Sequence, residues 1–235
     1  YLTGNEHQMR LSDGNASAST NQVNAVPECE DTYLDSSSTS TNNDDSYLVI
    51  SSTEVALFKC DMAGLILPEG MAIQSAVLRT YAWQFTTFSN VPINVYSGTS
   101  DWNETGATWD TRDGTRSWAS SGASGTDRIS LLDSQTISTT GDDWFEWNIT
   151  SAAQAANRWG TPLSVIMTSS SGTSASFQDS ETGSSGPEIV ITYGIGDDTS
   201  PDVPVGMTPS ADEWMVSDDL LMQGIVRPEH SWTTP

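Results

Sequence analysis

The histidines and carboxylates are the residues of this chain that could perform acid–base chemistry. Histidine occurs only at His7 and His230, near the two ends of the 235-residue sequence, whereas general acid–base catalysis needs an imidazole in a preorganised site. The sequence has no HExxH zinc motif, no G-x-S-x-G nucleophile turn and no Gly-rich phosphate loop. Two of its 31 acidic residues could form the carboxylate pair of a glycosidase, but such pairs are commonplace on an acidic surface. These features predict that the chain is not an enzyme.

One turn of the sequence carries the oxygen ligands that calcium prefers. Asn42, Asn43, Asp44 and Asp45 are consecutive, and Ca²⁺ takes carboxylate and amide oxygens from loops. The cluster lacks the spacing of an EF-hand, and a solvated acidic turn has the same composition. Zinc would need more ligands than two cysteines and two terminal histidines supply. The sequence therefore calls for no cofactor, and calcium at residues 42–45 stays open as an alternative to a solvated turn.

The nine tryptophans of the sequence could bind sugar, because an exposed indole offers a flat apolar face to a pyranose and an N–H to its hydroxyls. Trp118 lies in the Ser- and Gly-rich stretch RSWASSGASG and is predicted to be an exposed sugar platform. Six others fall in strand, signature or helix patterns, where core packing is the simpler interpretation. These six are Trp83, Trp102, Trp109, Trp144, Trp147 and Trp159.

The two cysteines, Cys29 and Cys60, fit two interpretations. Strand alternation in VALFKCDM, residues 55–62, puts Cys60 on an apolar face with Phe58, which would suit a buried free thiol. A disulfide to Cys29 would contribute about 3–4 kcal/mol by the chain-entropy estimate. We favour the disulfide, which predicts an oxidising compartment and an extracellular or cell-surface location.

The charge balance excludes whole classes of partner. Eight Lys and Arg residues against 31 Asp and Glu residues give a formal net charge of −23, and such a surface cannot neutralise the phosphates of a nucleic acid. No apolar run approaches the roughly 18 residues of a membrane-spanning helix. Sequons at Asn15, Asn103 and Asn148 permit glycosylation, although such triplets occur often by chance in a sequence rich in Asn, Ser and Thr.

Short apolar runs between turn clusters fill residues 30–193, and this pattern is typical of a β-sandwich or jelly roll. A helix is predicted over SAAQAANRWG, where Ser151 and Gln154 have capping-box spacing and Gly160 marks the end. The predicted fold is an all-β sandwich or jelly roll with one short helix, an extended N-terminal arm and a C-terminal extension. The predicted strands are DTYLD, SYLVISS, VALFKCDM, AIQSAVLRTYAWQF, VPINVY, DRISLLD, WFEWNI, PLSVIMT, SASFQD and EIVITY.

Three further segments flank the predicted sandwich. Residues 1–29 are polar and aperiodic and are predicted to form an extended arm. Residues 194–213 are rich in Pro, Gly and Asp and are predicted to be a linker. Residues 214–235 contain a predicted orphan strand that has too few neighbours to bury its apolar side chains. These candidate assembly residues are Trp214, Val216, Leu220, Met222, Ile225 and Val226.

Six motifs follow one another between residues 30 and 193: EDTYLD, LFKCD, the LPEG turn with its AVL strand, DWNETGATWD, WFEWNITSAAQAANRWG and PEIVITY. In this order they resemble the DNRLRE domain, a β-sandwich of the carbohydrate-binding-module class in secreted and surface proteins of bacteria and archaea. Trp102, Glu104, Thr108 and Trp109 fit its Trp-x-Glu-x-x-x-Thr-Trp signature. Lys59 and Cys60 replace the usual Arg and Phe. The resemblance implies the fold, but the ligands of this family are diverse, so function must be argued from the residues.

Two functions fit these observations. The first is a non-enzymatic extracellular structural subunit that self-assembles into a filament or surface layer by docking its terminal segments on a neighbouring copy, and the arm, linker and orphan strand favour it. The alternative is a carbohydrate-binding module of a larger secreted or cell-surface protein, which the resemblance and the surplus aromatic residues favour. We expect the first, so the predicted partners are copies of the chain, with polysaccharide as the partner under the alternative.

Overall fold

The computed structural model of the chain describes residues 7–11, 29–42, 46–62, 65, 67, 69, 71–82, 87–180 and 185–195. Within these residues, strands β2 to β11 and helix α1 coincide with the ten predicted strands and the predicted helix, and β1 is an additional strand. The elements are β1 His7–Leu11, β2 Cys29–Asp35, β3 Tyr47–Ile50, β4 Glu54–Cys60, β5 Met71–Ala82, β6 Phe88–Gly98, β7 Arg128–Thr139, β8 Asp143–Asn148, α1 Thr150–Trp159, β9 Leu163–Ser169, β10 Ala175–Gln178 and β11 Glu188–Ile195.

The described strands form three antiparallel sheets. Sheet A has the strand order β1-β11-β5-β8, sheet B has the order β2-β4-β9-β6-β7, and β10 pairs with β3. The inward residues of all three sheets share one hydrophobic core, as in a sandwich whose sheets pack face to face. The predicted all-β sandwich with one short helix is therefore confirmed.

Alternation along the strands decides which side chains enter this core. In β5, Leu78 and Thr80 face inward and are almost completely buried, whereas Arg79 and Tyr81 between them are only partly buried. Trp147 of β8 is fully buried and its Nε1–H donates to Thr80 Oγ1 at 3.1 Å. A buried indole N–H needs such a partner, so Trp147 is a core residue, as predicted.

Helix α1 packs against the core through Ala153 and Ala156. It ends at Gly160, which has φ 59° and adopts the left-handed conformation that a helix C-terminus favours. The predicted capping box of Ser151 and Gln154 is wrong. The helix begins at Thr150, so Ile149 is its N-cap and Ser151 lies inside the first turn. Gln154 Nε2 donates to the carbonyl of Ile73 in β5 at 2.8 Å.

Cys29 and Cys60 form a disulfide, which confirms the favoured interpretation. The two residues face each other as one pair of the β2–β4 ladder, at the first residue of β2 and the last residue of β4. The disulfide therefore fixes the start of the edge strand β2 to the sheet. Because β2 begins at Cys29, the sandwich starts one residue earlier than the predicted boundary at residue 30.

The segments that flank the sandwich differ from the prediction at two points. Residues 7–11 of the predicted arm form β1, which pairs with β11 in an antiparallel register from His7↔Tyr193 to Leu11↔Ile189. Strand β11 continues to Ile195, two residues beyond the predicted end of the sandwich. The chain divides into compact units at residues 1–196 and 197–235. The predicted assembly residues Trp214 to Val226 lie outside the described residues.

Candidate functional site

The loop between β6 and β7, residues 99–127, packs on the outer face of sheet B. Its Trp102 and Trp118 are buried together with Leu34, Leu57 and Ile166, which point outward from that sheet. These side chains form a second hydrophobic cluster, separate from the core between the sheets. The apolar side chains on a sheet face are buried from water only if other groups cover them.

Trp118 belongs to this cover, and its predicted exposure is wrong. Only 5% of the residue is exposed. Its Nε1–H donates to the carbonyl of Thr108 at 2.8 Å, and the Arg112 guanidinium carbon lies 5.8 Å from the ring centroid. The Ser- and Gly-rich residues around Trp118 let the loop turn back on itself, so they bring the indole inward. Trp118 therefore offers no open platform for a sugar.

Trp102 of the signature is anchored from two sides. Its Nε1–H donates to Ser164 Oγ at 3.2 Å. The Lys59 ammonium lies 4.6 Å from the Trp102 ring centroid, donates to the Trp102 carbonyl at 2.5 Å and pairs with Glu30 at 3.1 Å. Lys59 therefore bridges a carbonyl, a carboxylate and an aromatic face with one ammonium group, at the position where the DNRLRE resemblance implies arginine. The prediction that Trp102 is a core residue is confirmed.

A charged network fixes the rest of this loop. Arg112 pairs with Asp101 at 3.3 Å and with the buried Asp127 at 3.6 Å. Arg116 pairs with Asp101 at 2.6 Å and with Asp113 at 2.5 Å. Hydrogen bonds from the backbone N–H and the guanidinium of Arg116 hold the pKa of Asp113 well below its usual range. The signature loop is consequently a structural element.

Two tryptophans that were predicted to lie in the core are exposed instead. Trp144 is 37% exposed and Trp159 is 62% exposed. In β8, Phe145 and Trp147 point inward, so strand alternation turns Trp144 to the outer face of sheet A. Trp159 is the last residue of α1 and stacks with Arg158, whose guanidinium carbon lies 5.3 Å from its ring. Trp109 is partly buried, and Trp83 lies outside the described residues.

Trp144 is the centre of a surface on sheet A that combines aromatic and charged side chains. The β5–β8 register pairs Tyr81 with Trp144 and Arg79 with Glu146. The rings of Tyr81 and Trp144 are 5.0 Å apart and tilted by 50°, and the Arg79 guanidinium carbon lies 4.4 Å from the Trp144 ring centroid. We call these four residues, together with Asp142 in the turn before β8, the Trp144 surface.

Hydrogen bonds hold the polar groups of the Trp144 surface in place. The Tyr81 hydroxyl donates to Asp142 Oδ1 at 2.6 Å, and this bond raises the pKa of Tyr81. Arg79 Nε donates to Glu146 Oε1 at 3.1 Å, and Arg79 also pairs with Glu188 of β11. Glu146 keeps most of its side chain exposed. The surface therefore presents an indole beside a carboxylate that can still accept hydrogen bonds, which suits a ligand with an apolar ring face and hydroxyl groups.

Of the predicted calcium cluster, the structure describes only Asn42, which is not part of this surface. Asn42 donates its amide N–H to the carbonyl of Tyr33 at 2.9 Å, whereas Asn43, Asp44 and Asp45 lie outside the described residues. In the part of the chain that the structure describes, no three His, Cys, Asp or Glu side chains are close enough together to hold a metal ion. No α-helix among the described residues has both the length and the apolarity to cross a membrane.

Comparison with known proteins assigns the domain to a family. No curated protein matches the chain. Residues 22–193 match the sequence model of carbohydrate-binding module family 96, which supports the carbohydrate-binding-module class implied by the resemblance, although under a different family name. The matched range runs from before β2 to residue 193 in β11, two residues short of the end of that strand, and leaves β1 outside. The chain belongs to carbohydrate-binding module family 96.

Proposed function

We propose that the chain is a non-catalytic carbohydrate-binding module that binds polysaccharide through the Trp144 surface. The family supports carbohydrate binding. The observation that carries the location is the exposed indole of Trp144 on the outer face of sheet A, beside Tyr81 and Glu146. The signature tryptophan Trp102 and the neighbouring Trp118 are buried and used for packing.

The proposed binding mode places a sugar ring against the exposed part of Trp144. One side of this indole already contacts Arg79, which fixes the orientation of the ring before a ligand arrives. Preorganisation of this kind lowers the entropy cost of binding. Hydroxyl groups of the sugar would then donate to Glu146, whose carboxylate remains largely accessible.

Replacement of Trp144 by alanine tests this proposal. Burial of an aromatic side chain contributes about 1.5–3 kcal/mol, so Trp144→Ala is expected to weaken polysaccharide binding by about 10- to 100-fold. Affinity electrophoresis against a panel of soluble polysaccharides, followed by titration calorimetry with the best ligand, measures the loss.

Trp159→Ala is the matched control, because it removes an exposed tryptophan from the end of α1. It should bind as the unmodified chain does, and both variants should show the near-UV circular dichroism of a folded sandwich. Equal loss in the two variants, or full binding by Trp144→Ala, would refute the assignment of the site to Trp144.

We also propose that the module acts outside the cell or on its surface. The Cys29–Cys60 disulfide supports an oxidising compartment, and a module that binds polysaccharide meets its ligand there. Intact-mass measurement of the protein from its native source, with and without reductant, tests this location. Two free thiols in the unreduced protein would contradict it.

Self-assembly through terminal segments is the second candidate function, and the β1–β11 pairing favours it. Residues 7–11 lie outside the family match and add a strand to the edge of sheet A. The same edge of a neighbouring copy could accept this strand, since main-chain hydrogen bonds do not depend on which chain supplies them. The terminal segments that make such contacts would then include β1 as well as residues 214–226.

Two deletion variants test which terminal segment forms the contact. Removal of residues 197–235 keeps β11 intact, and removal of residues 1–21 keeps the family domain intact. Light scattering after size exclusion should show a loss of oligomers in the variant whose segment forms the contact. A full-length chain that is monomeric at 100 μM would refute self-assembly.

A further inference from the structure

We propose that the free edge of β7, at residues 128–132, accepts residues 218–226 of a neighbouring copy as an added strand. The inference rests on the second candidate function, self-assembly, and deepens it by naming the surface that receives the C-terminal segment. It does not depend on carbohydrate binding, because the Trp144 surface belongs to sheet A and β7 belongs to sheet B.

The first half of β7 exposes two large aliphatic side chains. Ile129 is 68% exposed and Leu131 is 55% exposed. Strand β7 is also the last strand of sheet B, so one side of its main chain is available to another strand. No charged residue occurs between Arg128 and Asp133. An uncharged edge with exposed aliphatic side chains is a surface that favours pairing with a further strand.

The second half of β7 lacks this character. Asp133 accepts the backbone N–H of Asn148 at 2.9 Å, and Gln135 donates to the carbonyl of Glu146 at 2.8 Å, so contacts with β8 occupy this half. Acidic residues lie along the edge strands β2 and β8, and such charges oppose the approach of a further strand. Pairing is therefore expected at residues 128–132 and not along the rest of β7.

Arg128, the first residue of β7, provides a charge that a partner can match. Its guanidinium carbon lies 5.8 Å from the Tyr96 ring centroid, and its Nε and Nη2 donate to the carbonyls of Ala123 and Gly122, both at 3.0 Å. None of the ion pairs among the described residues includes Arg128. Burial lowers the pKa of Arg128, so a carboxylate that arrives with a partner would stabilise its charged form.

The C-terminal segment has a matching order of residues. Asp218 and Asp219 precede LLMQGIV, residues 220–226, which is uncharged. The compact unit that contains this segment consists of residues 197–235 and has no cysteine. Units below about 40 residues usually need disulfides, metals or oligomerisation to be stable. The apolar side chains of residues 220–226 therefore need a surface outside their own unit.

Charge determines the direction of the added strand. When the segment runs parallel to β7, Asp219 lies at the Arg128 end and the uncharged residues follow along the exposed half of β7. In the antiparallel direction, Arg227 would meet Arg128, and like charges opposite each other are unfavourable. Alternate side chains of the parallel segment would cover Ile129 and Leu131, while its main chain bonds to the edge.

The linker before the segment favours docking on another chain. Residues 197–213 contain Pro201, Pro204 and Pro209 together with several acidic residues, and both proline and like charges extend a linker. An extended linker favours a strand that is supplied to a neighbour over one that folds back. Because the donor segment and the acceptor edge are different surfaces, the contact does not close and propagates into a filament.

Two complementary variants test the pairing. Removal of residues 197–235 leaves an acceptor, and Ile129→Thr/Leu131→Thr leaves a donor, because threonine keeps the strand propensity and removes most of the apolar surface. In sedimentation velocity at 100 μM, each variant alone should be monomeric and their equimolar mixture should form a heterodimer. The unmodified chain should form oligomers that grow with concentration. Tyr47→Thr/Trp159→Ala removes two exposed apolar side chains elsewhere and should assemble as the unmodified chain does.

Asp218→Asn/Asp219→Asn tests the charge that faces Arg128. Association should weaken at least threefold at 50 mM NaCl and by less at 500 mM NaCl, because salt screens an exposed ion pair. Asp197→Asn/Asp198→Asn makes the same change in net charge at the start of the linker and should not weaken association. Equal weakening by the two variants would overturn the pairing with Arg128 and the parallel direction that rests on it.

The outcomes separate this inference from the functions proposed above. If oligomers persist in Ile129→Thr/Leu131→Thr but disappear on removal of residues 197–235, the segment has another acceptor, and this inference is overturned while self-assembly stands. Oligomers that survive that removal, or a mixture of the two variants that stays monomeric, would also overturn it. A monomeric full-length chain would overturn self-assembly as well. Polysaccharide binding and near-UV circular dichroism should be unchanged in Ile129→Thr/Leu131→Thr, whichever of these results is found.

Discussion

Replacement of Trp118 by alanine distinguishes a structural tryptophan from a sugar platform. Trp118 is buried in the cluster between sheet B and the loop of residues 99–127, and its Nε1–H donates to the Thr108 carbonyl. Truncation of a buried tryptophan costs about 3–5 kcal/mol, because contacts are lost and a cavity remains. At about 2–4 °C per kcal/mol for a domain of this size, the melting temperature of Trp118→Ala should fall by roughly 6–20 °C.

Trp118→Phe separates the contributions of the ring and of the N–H group. It keeps most of the aromatic contacts and removes the hydrogen bond to Thr108, which contributes about 0.5–1.5 kcal/mol. Urea denaturation followed by tryptophan fluorescence should therefore place Trp118→Phe between Trp118→Ala and the unmodified chain. Polysaccharide binding, measured well below the transition, should be the same in all three proteins.

The opposite pattern would refute this interpretation. If Trp118→Ala unfolds at the same urea concentration as the unmodified chain but no longer binds polysaccharide, Trp118 contacts the ligand and the loop is not a fixed cover. The binding site would then have to be moved from sheet A to the loop of residues 99–127.

Three further predictions concern the stability of the sandwich. Replacement of both cysteines by alanine should destabilise the chain by about 3–4 kcal/mol in urea denaturation, because the closed loop of the unfolded state is lost; an unchanged midpoint would contradict this. Gly122→Ala should destabilise by more than 1 kcal/mol, since φ is +74° and the new Cβ would lie 2.6 Å from Trp109, whereas Gly172→Ala has open space and should be near neutral in the same assay. Asp113 has a lowered pKa, so the stability that its hydrogen bonds provide is present above the unfolded pKa of about 3.9 and is lost as pH falls below that value. Between pH 6 and pH 2, the melting temperature should therefore fall less steeply for Asp113→Asn than for the unmodified chain.

The strands of the sandwich could be predicted from the sequence because each is a short apolar run between turns. The β1 strand HQMRL could not, since a polar edge strand carries no such pattern and its existence depends on the free edge of β11. The exposure of Trp144 can be predicted from the sequence, because strand alternation with Phe145 and Trp147 puts it on the opposite face of β8. The prediction of core packing used only its position in a strand pattern and did not ask which face of the strand it occupies.

The partners of Trp144 could not be predicted in the same way. Arg79 and Tyr81 meet it through the register of β5 against β8, and register depends on pairing between segments that are distant in sequence. The burial of Trp118 was missed for a related reason. The loop around Trp118 has no hydrophobic periodicity. Its packing over sheet B depends on ion pairs and hydrogen bonds between residues that are not adjacent in the sequence.

The chemistry of the two outer sheet faces explains why an exposed indole remains on one of them. The outer face of sheet B carries Leu34, Leu57 and Ile166, so it must be covered, and the loop of residues 99–127 covers it. The outer face of sheet A carries Arg79 and Glu146, which remain favourable in water. Since sheet A needs no cover there, an indole placed among its charged side chains stays accessible.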